Sequence, residues 1–139
     1  MAPDRADIVS RYERYLRRCN EHRFDALGEF VSDRVGGSGT VDGLTAYIGR
    51  LETVSTGFPD YRWQLEHLIV DGDTVAARLT GRGTHTGPFC GIAPTGRRIT
   101  VQELVVYRFA DGKVVQCWGD FFPVVRDAVT VTASAATEY

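Results

Sequence analysis

No stretch of this 139-residue sequence approaches the ~20 consecutive apolar residues that a membrane span requires. The opening segment, MAPDRADIVSRYERYLRR, carries charges where a secretory signal needs an apolar run, so the chain is expected to be soluble and cytoplasmic. An excess of charge is also missing: a formal net charge of −2 offers no field to hold DNA, RNA or an anionic membrane. The pairs Arg17–Arg18 and Arg97–Arg98 are too short for a phosphate site and read as solvated faces. Cysteines are few. Cys19, Cys90 and Cys117 are odd in number and have no C-x-x-C spacing, which argues against a disulfide framework and fits a reducing compartment. No internal repeat or linker is visible, and one domain is expected over residues 1–139, with its core at about 8–123 and a tail over 124–139.

Templates for cofactor chemistry fail as well. Gly81-Arg82-Gly83-Thr84-His85-Thr86 lacks the last glycine of a dinucleotide fingerprint and is not followed by a helical pattern. Ser38 stands between Gly37 and Gly39, but Thr40 occupies the place where a nucleophile elbow needs glycine. Cys19 and His22 have helical ligand spacing without any further cluster, so a structural role is expected and no metal. The sequence therefore implies no cofactor.

What is present is an ordinary globular composition, 43% apolar and 24% charged. The first half has helical period. Ile8, Tyr12, Tyr15, Leu16 and Cys19 form one apolar stripe from Asp7 onward; a short helix is expected around Phe24–Val31, before the break Gly36-Gly37-Ser38-Gly39. A third helix is expected over about Asp42–Ser55, where Leu44, Tyr47, Ile48, Leu51 and Val54 repeat the spacing until Gly57 and Pro59 close it. The second half has period two. Tyr61, Trp63 and Leu65 alternate with Arg62, Gln64 and Glu66, and Asp71-Gly72-Asp73 turns the chain into a return strand from Thr74 to about His85. After a loop over Thr86–Gly96, two long strands, Arg98–Phe109 and Lys113–Phe122, are joined across Ala110-Asp111-Gly112. Pro123 stops the last ladder, and the Ala- and Thr-rich tail is expected to be partly disordered near its end. Helices first and antiparallel strands afterwards indicate an α+β fold, in which one bent sheet wraps the helices and leaves an apolar pocket at its opening.

Asp120 is the leading acid/base candidate. It shares a strand face with Trp118 inside the apolar run Val114–Val125, and apolar surroundings raise a carboxyl's pKa towards neutrality. The competing reading has it ending a strand in water. Hairpin register decides its partner. A two-residue turn pairs Ala110 with Lys113 and sets Asp120 opposite Glu103, two carboxyls about 5 Å apart; a bulge at Gly112 sets it opposite Gln102, with Trp118 opposite Leu104. The sequence leans to the bulge, with Gln102 as hydrogen-bonding partner and Glu103 outside. His85, where a strand gives way to a loop, is the second catalytic candidate, against the reading that its ring fixes the loop. Trp63, Phe89, Trp118 and Tyr15 are candidates to line the pocket.

The run Phe58–Asp60, then GDTVAARLTGRGTHTG, FCGIAPTGRRITV and VYRFADGKVVQCWGD, resemble the SnoaL-like polyketide cyclases of the nuclear-transport-factor-2-like superfamily, from about Ile8 to Pro123. The resemblance implies a cone-shaped α+β barrel, with N-terminal helices in the concave face of a strongly curved mixed sheet, and a homodimer packed through the sheets. It further implies cofactor-free intramolecular aldol closure of a hydrophobic polycyclic substrate, with Asp120 as general acid/base. The histidines that such cyclases place in the final strands are absent; Gln102, Tyr107, Gln116 and Trp118 stand there instead. Two alternatives remain beside the aldol cyclase. An epoxide hydrolase or epoxide-opening cyclase, or a hydroxylation partner, would use the same scaffold; the epoxide chemistry requires Glu103 as a second acid facing Asp120. A non-catalytic binding or dimerisation module would have an open or filled cone.

Overall fold

The computed structural model describes residues 4–37 and 40–138; Ser38 and Gly39, in the expected glycine break, and Tyr139 at the end of the tail lie outside the described residues. Helix α1 (Arg5–Asn20) starts where the Asp4 carboxylate accepts the Ala6 N–H at 3.3 Å. Asp7 in its first turn and Arg17 and Arg18 in its last complement the helix dipole. Ile8, Tyr12, Tyr15 and Cys19 are buried along one side, the stripe legible in the sequence. A 3-10 turn, Phe24–Glu29, replaces the expected short helix and tucks Phe24 and Leu27 into the core.

Strands β1 (Val31–Gly37) and β2 (Thr40–Val41) follow, in a segment whose glycines hide the strand signal. Gly37 is needed here, because a Cβ would overlap the Cys117 carbonyl of the neighbouring strand. Helix α2 (Gly43–Gly57) buries Tyr47, Leu51 and Val54 and ends where Gly57 lets Phe89 approach to 2.8 Å from the site of a Cβ.

The rest of the chain is a meander of β3 (Arg62–Asp71), β4 (Thr74–Thr84), β5 (Arg98–Ala110) and β6 (Lys113–Gly119). The sheet order is β2-β1-β6-β5-β4-β3; β1 and β6 run parallel and the other neighbours antiparallel. Irregularities in β3 near Glu66, in β6 at Val115 and along the β1–β6 seam bend the sheet. Its concave face carries Val75, Ala77 and Leu79 of β4 and Ile99, Val101, Tyr107 and Phe109 of β5, all buried against the helices. This is the α+β cone expected from the sequence.

Two expectations are corrected at the C-terminal end. The last strand stops at Gly119 rather than running to Phe122, and the expected tail is helix α3 (Phe121–Glu138). Pro123 lies in the first turn of α3, where a missing N–H leaves no helical bond unmade. Val125 and Val129 are buried, so the helix is held by the core.

Hairpin register is the third correction. The tip is a two-residue turn, with Ala110 opposite Lys113 and positive φ at Asp111 (52°) and Gly112 (78°), as a type I′ turn requires. The bulge expected at Gly112 is instead at Val115, between the pairs Phe109↔Val114 and Arg108↔Gln116. That extra residue sets Tyr107 opposite Cys117 and Val106 opposite Trp118. Asp120 therefore arrives beside Leu104, not Glu103 or Gln102.

Candidate active site

Between α1, α2, the start of α3 and the concave face of β5 and β6 lies a cavity of about 330 Å3, at the lower end of the range for small-molecule sites. The cone is thus not filled by its own side chains. Aromatic rings dominate the walls: Tyr15, Tyr47, Trp63, Tyr107, Phe121 and Phe122.

One ionisable group stands out on these walls. Glu103 occupies an inward position of β5, in the series Ile99, Val101, Glu103, Tyr107, Phe109, and its residue is 2% exposed. Tyr61 Oη donates to its Oε2 at 2.9 Å and Trp63 Nε1 donates to its Oε1 at 3.2 Å. Burial pushes the Glu103 carboxyl up to about 7; the two hydrogen bonds oppose that rise and the nearby Asp120 charge adds to it. Gly81 makes this arrangement possible. It lies on β4 beside the carboxyl, and a Cβ there would overlap the Tyr61 hydroxyl and come within 2.6 Å of Glu103 Oε2.

Asp120 is half-buried at the point where β6 leaves the sheet. Its N–H donates to the Leu104 carbonyl at 3.3 Å, and its Oδ1 accepts the Leu104 N–H at 2.9 Å, standing in for a strand carbonyl. Its own carbonyl accepts the Val124 N–H at 2.9 Å and so begins α3. Asp120 is a junction residue at the edge of the cavity and is absent from its walls; Glu103, two strand positions from Val101, is on them.

The other candidates divide in the same way. Trp63, Tyr15, Glu103 and Trp118 border the cavity. Trp118 does so from the rim: it lies opposite Val106 and is 37% exposed, with Cδ1 3.7 Å from the site of a Cβ on Gly37. Gln102 faces the opposite, solvent side of β5, as the alternation along that strand requires, and accepts a hydrogen bond from Arg78 at 3.4 Å. Phe89 is 1% exposed but packs between Phe58 and Phe122 outside the cavity.

His85 is also outside. Its Nδ1 accepts the Thr95 N–H at 3.3 Å and contacts Thr95 Oγ1 at 2.9 Å, while its backbone bonds Arg97 and Gly96. An accepting Nδ1 leaves the proton on Nε2, which has no hydrogen-bond partner among the described residues. The ring stacks on Phe58 at 5.2 Å, and burial lowers its pKa. These contacts tie His85 to the 86–97 loop, away from the cavity walls. His22 is likewise structural: Nε2 donates to the Tyr61 carbonyl at 2.8 Å and Nδ1 takes the Ser55 hydroxyl at 3.0 Å.

The residue that sequence reasoning misplaced is Glu103, and a signal for it was available. Ile99, Val101, Val105, Tyr107 and Phe109 share one parity, so the strand's own alternation puts Glu103 on the apolar face whatever the hairpin does. Tyr61, Tyr47 and Cys117 were missed because their role depends on three elements meeting.

The sequence profile described as "SnoaL-like polyketide cyclase" matches residues 7–123. The aklanonic acid methyl ester cyclase AcmA of Streptomyces galilaeus is 24% identical over 116 residues, 78% of this chain and 80% of that protein. A SnoaL-like polyketide cyclase from Agrobacterium tumefaciens has a similar solved structure: TM-score 0.72 at 34% identity, covering 81% of this chain and 88% of the other. TsrD from Streptomyces laurentii gives a TM-score of 0.76 at 26% identity, over 84% and 89% of the two chains.

Proposed function

The chain belongs to the SnoaL-like polyketide cyclase family, and on that footing we propose that it closes a ring of an aromatic polyketide by intramolecular aldol-type condensation, with a carboxyl as the only acid/base group required. The observation that carries this reading is Glu103, a carboxyl in an aromatic cavity with its pKa pushed up to about 7. Such a group is half-ionised near neutral pH, so it can take a proton from carbon and return one to oxygen. Burial that raises the pKa also makes the carboxylate a stronger base than a solvated one. The acid must be a carbon flanked by carbonyl groups, because only then does the resulting charge spread into the substrate without metal or cofactor. Confinement of both reacting ends in one cavity contributes further acceleration.

In this reading Glu103 acts on the substrate, and Asp120, the position singled out by its place in the sequence and by the family resemblance, stands at the edge as the second carboxyl. Its charge raises the Glu103 pKa. Glu103→Gln is expected to lower the ring-closure rate about 10²–10⁴-fold with the fold retained. Asp120→Asn is expected to retain turnover and to move the ascending limb of the pH–rate profile to lower pH, because removal of the neighbouring charge makes Glu103 easier to ionise. Loss of turnover in Asp120→Asn with an undiminished rate in Glu103→Gln would transfer the catalytic role to Asp120.

The proximity of two carboxyls favours one alternative, opening of an epoxide, in which one acid protonates the ring oxygen and the other orients the attacking oxygen. An epoxide-bearing polyketide turned over faster than a carbonyl-bearing one would establish it. The proposed setting is the cytoplasm, where the three free thiols of Cys19, Cys90 and Cys117 persist, and the proposed state is a homodimer joined through the convex face of the sheet. Across that face Ile69, Ala76, Val106 and Trp118 pair in one row, with exposed Leu104 beside it.

A further inference from the structure

A chain of hydroxyl and thiol groups runs along the cavity wall away from Glu103. Tyr15 of α1 and Tyr47 of α2 share a hydrogen bond, Oη to Oη, at 2.5 Å. Cys19, one helical turn further on from Tyr15, and Cys117 on β6 stand beside this pair on the cavity wall. All four residues border the cavity. Burial raises the pKa of each, so every one of them keeps its proton at ordinary pH.

The protons of this chain can be counted. Two tyrosine hydroxyls bring two strong donors, and one proton bridges the two oxygens. Among the described residues neither hydroxyl is hydrogen-bonded to a further oxygen or nitrogen, so the other proton has at best a neighbouring thiol, Cys19 or Cys117, to accept it. A thiol sulfur is a weak acceptor. One good O–H donor at the cavity wall is therefore held by a poor partner, and a better acceptor entering the cavity will draw it away. Glu103, Tyr15 and Tyr47 border the same cavity, so one ligand can touch all three.

We propose that the Tyr15–Tyr47 pair is an oxyanion-binding subsite, which receives the carbonyl oxygen of the carbon acid that Glu103 deprotonates. The assignment rests on the ring-closing reading above. It selects substrates of β-dicarbonyl or hydroxyquinone type, whose oxygen is a strong acceptor and bears the charge on ionisation. Glu103 takes the proton from carbon; the C–H electron pair becomes the enolate double bond, and the carbonyl π pair moves onto the oxygen held by the tyrosines. The enolate double-bond pair then forms the bond to a second carbonyl carbon of the same molecule while the pair on the first oxygen restores its carbonyl; the second carbonyl's π pair moves to its own oxygen, which takes the proton from the Glu103 carboxylic acid. No atom is gained or lost and nothing is oxidised. Neutral donors suit the task, because they concentrate on charge that appears only during the reaction.

A series of 2-naphthols of graded acidity is the probe, titrated by fluorescence against the full chain, with circular dichroism to check each variant's fold. Affinity is expected to rise with naphthol acidity in the wild type and in Glu103→Gln. Tyr47→Phe is expected to flatten that dependence and weaken the most acidic naphthol at least about tenfold, the worth of one hydrogen bond to a charged oxygen. Cys117→Ser tests the pair without removing either tyrosine: its oxygen competes for the spare proton and should weaken binding in the same order. Unchanged dependence in both variants, or no affinity of any naphthol for the wild type, overturns the subsite. A flattened dependence together with full ring-closing turnover in Glu103→Gln keeps the subsite and rejects the Glu103 reading.

Discussion

At the scale of single residues, the fate of Glu103 links chemistry to stability. Its folded pKa of about 7 lies above the value of 4.5 for a solvated carboxyl, so the folded chain binds that proton more tightly than the unfolded chain. The associated stability is complete below about pH 4.5 and is lost as pH rises through 7. The difference is about 3 kcal/mol across that window. Thermal unfolding should show a Tm that falls between pH 5 and pH 8, and Glu103→Gln should flatten that slope; an equally steep fall in the variant would place its cause elsewhere. Gly81 supports the same carboxyl from the next strand. Gly81→Ala should cost about 1–3 kcal/mol through crowding of Tyr61 and should lower ring closure through the displaced carboxyl. Retained activity with normal stability would mean that the clamp relaxes freely.

At the scale of elements, the strands were legible wherever turn chemistry and alternation agreed. Tyr61-Arg62-Trp63-Gln64 announced β3, and Asp111-Gly112 announced the β5–β6 hairpin, though not its tip, where the sequence leaned to a bulge at Gly112 and the structure has a two-residue turn. The partner of Asp120 was not legible, because a bulge inserted at Val115 leaves no mark in composition yet shifts every residue after it. Strand β1 escaped notice for a related reason: its glycines serve close approach to β6, and such contact is visible only once the two ends of the chain meet. Helix α3 looked like a loose tail because its helical period is short of charges and its burial comes from Val125 and Val129 meeting the core. The loop between β4 and β5 is an element with a latch, the His85–Thr95 contacts. His85→Ala should speed proteolysis within residues 86–97 while lowering ring closure much less than Glu103→Gln. Equal catalytic loss with an intact loop would restore His85 as a chemical participant.

At the scale of the whole molecule, the overall α+β cone followed from the change of period halfway along the sequence, helical before Pro59 and alternating after it. Which face of the sheet meets what did not follow, since both faces of β5 carry apolar residues: Val101 and Tyr107 on one side, Leu104 and Val106 on the other. Exposure of Ile69 (65%), Leu104 (51%), Val106 (37%) and Trp118 (37%) on the convex side is the pattern of a surface meant to be covered. Val106→Asp, at the centre of the row, should convert the proposed homodimer to a folded monomer in sedimentation velocity. A variant that sediments like the wild type would move the interface off this face.

The parallel seam between β1 and β6 joins segments from opposite halves of the chain, whereas β3–β4 and β5–β6 close through two-residue turns. Loop-closure entropy makes short-range hairpins quick and a long-range seam slow. The hairpins of the meander are therefore expected to close before β1 docks on β6, and Gly36 and Gly37, which border the cavity from β1, arrive with that docking. On that order a ligand finds its complete enclosure only after the long-range seam has joined the two halves of the chain.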